Sequence, residues 1–200
     1  MTKDGIIQFN HPLRESRPVD KTVYNLLEVI RRKVFNNKWI GVYPDGVGYG
    51  NLSCRLQDQT GFYITASQTG HLPTCLPEHY CQIHDYDYQK NQVSYSGCLP
   101  PSSESLTHAM FYELDDAIAA VLHIHHPQAW SQLKKHLPCT HEDTTYGTIE
   151  MAMEIKRLYQ MPYLHQEKCL VMAGHKDGLI SFGKDLVEAF NIMQQTLERL

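Results

Sequence analysis

Two spacings of hydrophobic residues alternate along this chain, and together they predict a mixed α/β fold. Apolar positions recur with helical spacing at about 20–37, 146–160 and 184–200. Asp20 is placed to cap the first of these helices. Prolines followed by serines in "PPSSESLTHAMFYEL" indicate the start of a further helix, which the serines can cap.

Short runs of β-branched, aromatic and apolar residues lie between the helices and predict strands. They are residues 52–56, "GFYITAS", "AIAAVLHIHH", "KCLVMAG" and "GLISFG", with "DYDYQ" and "QVSYSG" as the arms of a hairpin. Several of these strands follow one another directly. The pattern therefore favours a three-layer α/β/α sandwich with a mostly antiparallel or mixed central sheet over a doubly wound parallel fold.

Composition narrows the class of protein without changing the fold. There is no internal repeat or low-complexity linker, so we expect an N-terminal arm at residues 1–18 and a single domain at 19–200. The net charge of −4 argues against nucleic acid and anionic membranes, though a local basic pocket stays compatible with it. No apolar run reaches the ~20 residues of a membrane span. Without a signal peptide or C-x-x-C pair, the six cysteines indicate reduced thiols in a cytoplasmic protein.

Three histidines stand within four positions in "VLHIHHP", at the end of a predicted strand. Because side chains alternate between the faces of a strand, His123 and His125 point the same way, about 7 Å apart. Imidazole suits zinc, and catalytic zinc sites use three protein ligands with a fourth position open. The pair is a candidate zinc site, although two satisfied polar residues at a strand end would look the same. His126 faces the other way, and we expect it to have a structural or supporting role.

The third ligand has to come from elsewhere in the chain. The metallo-β-lactamase pattern needs an Asp shortly after the pair and the cupin pattern needs a Glu a few residues on, but "HPQAW" contains neither. His175 follows a buried strand at a Gly-rich turn, from which a side chain can reach a site at the sheet edge. We expect His175 to complete the set. His108 is the competing candidate, and we expect it to face the helix surface or to pack.

Acidic and hydroxyl side chains at a predicted helix start are candidates for proton transfer and anion binding. Glu104 in "PSSES" could simply complement the helix dipole, or it could be the proton-transfer partner that a metal site needs. Ser102, Ser103 and the exposed amides beside them can bind a phosphate-sized anion. The turns in "GYGNLSCR" and "ITASQTG" offer further donors, which are Asn51, Ser53, Ser67, Thr69 and Gly70.

Five segments, in this order, resemble the class II aldolase/adducin family of the fuculose- and rhamnulose-phosphate aldolase type. They are "GNLSCR", "ITASQTG", "PPSSES", "VLHIHHP" and "GHKDGLISFGKDLVEAF", and the resemblance extends from about Asp20 to the end of the sequence. It implies an α/β/α sandwich, a zinc ion, a phosphorylated sugar substrate and often a homotetramer with sites at the subunit contacts.

The resemblance also implies individual roles. His123, His125 and His175 match the zinc ligands, and Glu104 matches the catalytic acid/base. The substrate-phosphate contacts match Asn51, Ser102 and Ser103, together with either Ser67 or the pair Thr69 and Gly70.

Two departures from the family pattern stand out. Lys176 follows the third histidine, where the family usually has Gly. Family aldolases often carry a further C-terminal tail whose tyrosine acts at a neighbouring site, whereas this sequence ends with its last predicted helix. Tyr146 and Tyr159 are alternatives for that tyrosine, and we assign neither.

The expected activity is that of a zinc-dependent lyase acting on a phosphorylated ketose through a metal-stabilised enediolate, with aldol cleavage as the first expectation. Methylthioribulose-phosphate dehydration, epimerisation and decarboxylation remain alternatives. Epimerases of the family tend to carry Asp where Glu104 stands, which disfavours that reaction. A different class of alternative is a non-catalytic, adducin-like binding or scaffold module. The adducin head lacks the metal ligands that this sequence carries.

Overall fold

The computed structural model describes residues 6–56 and 61–200, so residues 1–5 of the predicted arm lie outside the described part. The strands are β1 (Leu13–Glu15), β2 (Gly41–Val42), β3 (Gly48–Tyr49), β4 (Asn51–Cys54), β5 (Phe62–Thr65), β6 (Tyr80–Asp87), β7 (Gln92–Ser96), β8 (Ala120–His125), β9 (Cys169–Val171) and β10 (Gly178–Gly183). The α-helices are α1 (Lys21–Asn36), α2 (Ser105–Leu114), α3 (Pro127–Leu133), α4 (Ile149–Tyr159), α5 (Pro162–Glu167) and α6 (Leu186–Leu197).

Eight strands form one sheet in the order β1-β7-β6-β5-β4-β8-β10-β9. Neighbouring strands run antiparallel except β1, which pairs with β7 in parallel. β2 and β3 form a separate two-stranded hairpin. The mostly antiparallel, mixed sheet of the predicted α/β fold is confirmed.

Two hydrophobic cores lie on opposite faces of the sheet, and the alternation of side chains along β8 feeds both. Val121 packs into the core that contains residues of α2 and α4. Leu122 and Ile124 pack into the core that contains residues of α1 and α6. Because the side-chain period of a strand is two, the histidines of β8 lie on the α2 and α4 side.

Helix starts follow the sequence signals in one case and depart from them in another. Asp20 Oδ1 accepts hydrogen bonds from the amides of Thr22 and Val23, at 3.1 and 3.2 Å, so the predicted cap of α1 is confirmed. The expectation that a serine caps α2 was wrong, because Glu104 occupies the N-cap position without a side-chain cap hydrogen bond. Helices α3 and α5, which both begin at a proline, were not predicted.

Two further findings concern the expectations from composition. All six cysteines are free thiols. Within residues 6–56 and 61–200, no helix has the length and apolar character needed to cross a membrane.

Candidate active site

The candidate site lies where β8 ends, between β4 and β10. The register places Asn51 of β4 opposite His123, and Ile180 of β10 also opposite His123. Gly178, the first residue of β10, pairs with His125. His175 lies in the turn between β9 and β10, so pairing of β10 with β8 returns this turn to the end of β8. The antiparallel register therefore brings the third histidine to the pair.

The three histidines form a compact buried cluster that could hold a metal ion. One ligand atom from each of His123, His125 and His175 lies within 4.8 Å of the others. The side chains are 1%, 4% and 5% exposed. The Nε2 atoms of His123 and His125 are buried without a hydrogen-bond partner among the described residues. Buried polar atoms are ordinarily satisfied, and a metal ion would satisfy these two nitrogens.

Burial favours the neutral form of His125. Desolvation, followed by the neighbouring charges of His175 and His123, lowers the pKa of His125 well below its usual value. A neutral imidazole keeps a lone pair on one ring nitrogen, and that is the form that binds metals.

Glu104 at the N-cap of α2 contacts two of the three histidines. Its Oε2 lies 2.6 Å from His123 Nδ1, and its Oε1 lies 3.2 Å from His175 Nδ1. Burial on its own would raise the pKa of Glu104, but the charges and hydrogen bonds of these two histidines lower it well below its usual value. The side chain is therefore a carboxylate, able to accept a proton and to orient the imidazoles that it contacts.

The ten predicted site residues lie together, because all of them line one pocket. They are Asn51, Ser67, Thr69, Gly70, Ser102, Ser103, Glu104, His123, His125 and His175. Ser53, a further candidate donor, is not among the lining residues. Its hydroxyl instead lies 2.7 Å from His108 Nδ1 and 2.6 Å from the Tyr112 hydroxyl, in the buried interior. His108 is fully buried, so it packs and does not face the helix surface.

Several donors beside the pocket are already committed within the protein. The amide of Ser102 donates to Thr65 O at 3.2 Å, and the amide of Ser67 donates to Pro100 O at 2.9 Å. The Thr69 hydroxyl donates to Ala66 O at 2.8 Å. These hydrogen bonds fix the two loops against each other, so the shape of the pocket is set by the fold before any ligand arrives.

The structure adds aromatic and acidic residues that the sequence reasoning missed. Tyr49 stacks on His125 with ring centroids 5.1 Å apart. The Tyr43 hydroxyl hydrogen-bonds to the same histidine and donates to the carboxylate of Asp177. Tyr146, weighed as a proton donor, lines the pocket with its ring 4.7 Å from that of His175. Tyr159, the other alternative, donates to Asp115 Oδ2 and does not line the pocket.

Two glycines allow the close approach of backbone to the cluster. A Cβ on Gly178 would lie 3.2 Å from His123 Nε2, so a larger residue would crowd a candidate ligand atom. Gly50 has φ +75°, and a Cβ there would lie 2.4 Å from Ile40 Cγ2. Glycine is the residue that meets both demands without strain.

The fold and site together define an α/β/α protein with a three-histidine candidate metal centre beside a buried carboxylate. Residues 32–200 match the family model described as Class II Aldolase and Adducin N-terminal domain. The chain belongs to this family, which confirms the resemblance seen in the sequence. No curated protein sequence gave a significant match.

Solved structures of similar fold include two sugar-phosphate aldolases. L-fuculose-1-phosphate aldolase from Thermus thermophilus is 19% identical with a TM-score of 0.66, over 90% of this chain and 91% of that one. A sugar-phosphate aldolase from Thermotoga maritima is 17% identical with a TM-score of 0.65, over 88% of this chain and 90% of that one. YgbL from Escherichia coli, a candidate aldolase/epimerase/decarboxylase, is 18% identical with a TM-score of 0.65, over 88% of this chain and 86% of that one. At these identities the likeness establishes the fold.

Proposed function

We propose that this protein is a zinc-dependent lyase that cleaves a phosphorylated ketose by an aldol reaction. The observation that carries the proposal is the position of the buried carboxylate of Glu104, which lies against two of the three clustered histidines and beside a serine-lined pocket. Sugar-phosphate aldolases are among the proteins of similar fold. The two orphaned imidazole nitrogens favour a metal-dependent enzyme over a scaffold module.

A phosphate group fits the side of the pocket formed by Ser102, Ser103 and the segment from Ser67 to Gly70. Among the described residues that line the pocket, none is Lys or Arg. A basic side chain lies behind this segment: Arg31 of α1 is fully buried and donates from Nη2 to Thr69 O at 3.0 Å. The proposed phosphate site therefore combines hydroxyl donors with a helix N-terminus and a guanidinium held behind the loop.

When bound, a zinc ion supplies Lewis-acid polarisation of the substrate carbonyl. His123, His125 and His175 would hold it, and Asn51 would line the same end of the pocket. Glu104 removes or returns the proton on the carbon skeleton, since its carboxylate is the base in this pocket. The serines fix the phosphate and so determine which carbon faces Glu104.

Metal analysis followed by a substrate screen tests the proposal. Protein purified without chelators should contain about one zinc per chain, and His125→Ala should lose it. A panel of phosphorylated ketoses, assayed for released dihydroxyacetone phosphate by a coupled enzyme, should reveal turnover that chelation abolishes. Stoichiometric zinc without turnover on any phosphorylated ketose would contradict the lyase, and absence of zinc would contradict the metal centre.

We further propose that the protein assembles as a homotetramer, as the family resemblance implies. Light scattering of the purified protein should then give about four times the chain mass of 23.1 kDa. A mass equal to one chain at micromolar concentration would contradict this assembly.

A further inference from the structure

The hairpin of β2 and β3 places the hydroxyl of Tyr43 beside His125, a candidate metal ligand. The Tyr43 hydroxyl lies 2.6 Å from His125 Nδ1 and donates to Asp177 Oδ2 at 3.2 Å. Asp177 is 5% exposed, in the turn that also carries His175. The three groups form a chain of hydrogen bonds that runs from a carboxylate, through a hydroxyl, to an imidazole.

The direction of these hydrogen bonds follows from what each group can donate. A carboxylate oxygen only accepts, so the Tyr43 hydroxyl hydrogen points to Asp177. The Tyr43 oxygen is then left as an acceptor, and His125 Nδ1 carries the hydrogen that it accepts. A neutral imidazole protonated at Nδ1 has its lone pair at Nε2, which is the buried nitrogen without a partner in the cluster.

Packing holds the same ring from its face. Tyr49 stacks on His125 with an interplanar angle of 27°, and Tyr43 contacts Tyr49 with ring centroids 4.6 Å apart. Asp177 has φ +67°, a left-handed conformation that Asp adopts more readily than most residues. The Asp177 carboxylate of the turn and the Tyr43 hydroxyl of the hairpin therefore meet beside the ring of His125.

We propose that Tyr43 and Asp177 are positioning residues that hold His125 in its metal-binding tautomer and orientation. The proposal rests on the metal centre of the proposed function and extends it to two residues that line no part of the pocket. Contacts of this kind behind a ligand are typically worth about 10–100-fold in metal affinity.

The test measures zinc affinity by chelator competition, separately from turnover. Tyr43→Phe removes one oxygen and keeps the ring, so we expect the zinc dissociation constant to rise about 10–100-fold. Asp177→Asn should raise it less, and should add little in the Tyr43→Phe background because both act through one hydroxyl. Tyr88→Phe is the matched control, since its hydroxyl donates to Leu106 O elsewhere. A change below twofold in Tyr43→Phe, or full additivity, would overturn the proposal.

A second measurement does not depend on metal or activity. Nitrogen-15 NMR of the metal-free protein should show His125 protonated at Nδ1, and Tyr43→Phe should shift the ring towards a tautomer mixture at unchanged thermal stability. Protonation at Nε2 in the wild type would overturn the proposal even if the protein binds zinc. Failure of the substrate screen alone would leave this result standing and count only against the lyase.

Discussion

At the scale of single residues, the proposed chemistry of this protein depends on Glu104. The side chain is 1% exposed and its two oxygens lie against different histidines. One carboxylate can thus orient the candidate ligands and serve as the base. The two roles make different demands, since orientation needs a hydrogen-bond acceptor and proton transfer needs a group that can be protonated.

Glu104→Gln separates these demands. The amide keeps one acceptor oxygen, so the protein should still bind about one zinc at saturating metal, while turnover should fall by about 10²–10⁴-fold. Metal analysis and steady-state kinetics check the two parts. Glu113→Gln is the control, because Glu113 is an exposed residue of the same helix. Undiminished turnover in Glu104→Gln would reject its acid/base role.

Ser103→Ala tests the phosphate side of the pocket. Loss of one hydrogen bond to a charged group should raise KM for phosphorylated substrates about tenfold, with a smaller effect on kcat. Ser131→Ala, at an exposed position of α3, should change neither constant. An equal effect on unphosphorylated sugars would mean that Ser103 does not contact phosphate.

At the scale of elements, β8 contributes both to the hydrophobic cores and to the candidate metal site. It pairs with β4 on one side and β10 on the other, and its residues alternate between the two cores and the candidate site. The alternation was readable in "VLHIHHP", so the pairing of His123 and His125 on one face was predictable. The hairpin of β2 and β3 was not, because nothing local in "GVYPDGVGYG" indicates that it folds over the histidines.

Leu122→Ala tests this division of β8 into two faces. Leu122 is fully buried in the core next to α1 and α6, so its truncation should lower the free energy of unfolding by about 2–5 kcal/mol. Zinc content should be unchanged, because His123 lies on the opposite face. Leu26→Ala, at a position that is 43% exposed, should cost no more than about 0.5 kcal/mol. Chemical denaturation measures both, and loss of zinc in Leu122→Ala would argue against independent faces.

At the scale of the whole molecule, the buried interior constrains the pH range of stability. Burial lowers the pKa of His108 to about 3, an effect that the nearby Glu104 opposes and His123 reinforces. The unfolded chain has an ordinary histidine pKa of about 6.5. Below pH 6.5 His108 is therefore protonated in the unfolded chain, whereas it stays neutral in the folded protein until the pH approaches its lowered pKa. The stability that neutral His108 contributes is present above pH 6.5 and is lost as the pH falls towards 3.

His108→Gln should remove this term. Wild-type metal-free protein should lose up to about 1.4 kcal/mol more per pH unit than the variant between pH 6 and 4. Gln can keep the hydrogen bond to Ser53, so the comparison changes titration more than packing. Denaturation curves across this range give the two slopes, and parallel slopes would show that His108 is protonated in the folded state.

The arrangement of strands and helices was more predictable from the sequence than the long-range side-chain contacts were. Adjacent strands and interleaved helices indicated the mixed sandwich, and the order of five segments indicated the family. Asp177 and Tyr43 stand 134 positions apart, and their contact depends on the register of β10 and the closure of the hairpin. The burial of Arg31 behind Thr69 likewise depends on tertiary packing, so the local sequence does not indicate it.

The interior position of β8 in the sheet has a consequence for amide hydrogen exchange. Amides of a strand flanked on both sides exchange with solvent mainly through global opening, whereas those of short edge strands exchange through local fraying. In deuterium-exchange mass spectrometry, peptides from β8 should be the last to label and those from β1 among the first. Two candidate ligands are then anchored in the slowest-exchanging segment, so transient excursions at the periphery would leave their spacing intact.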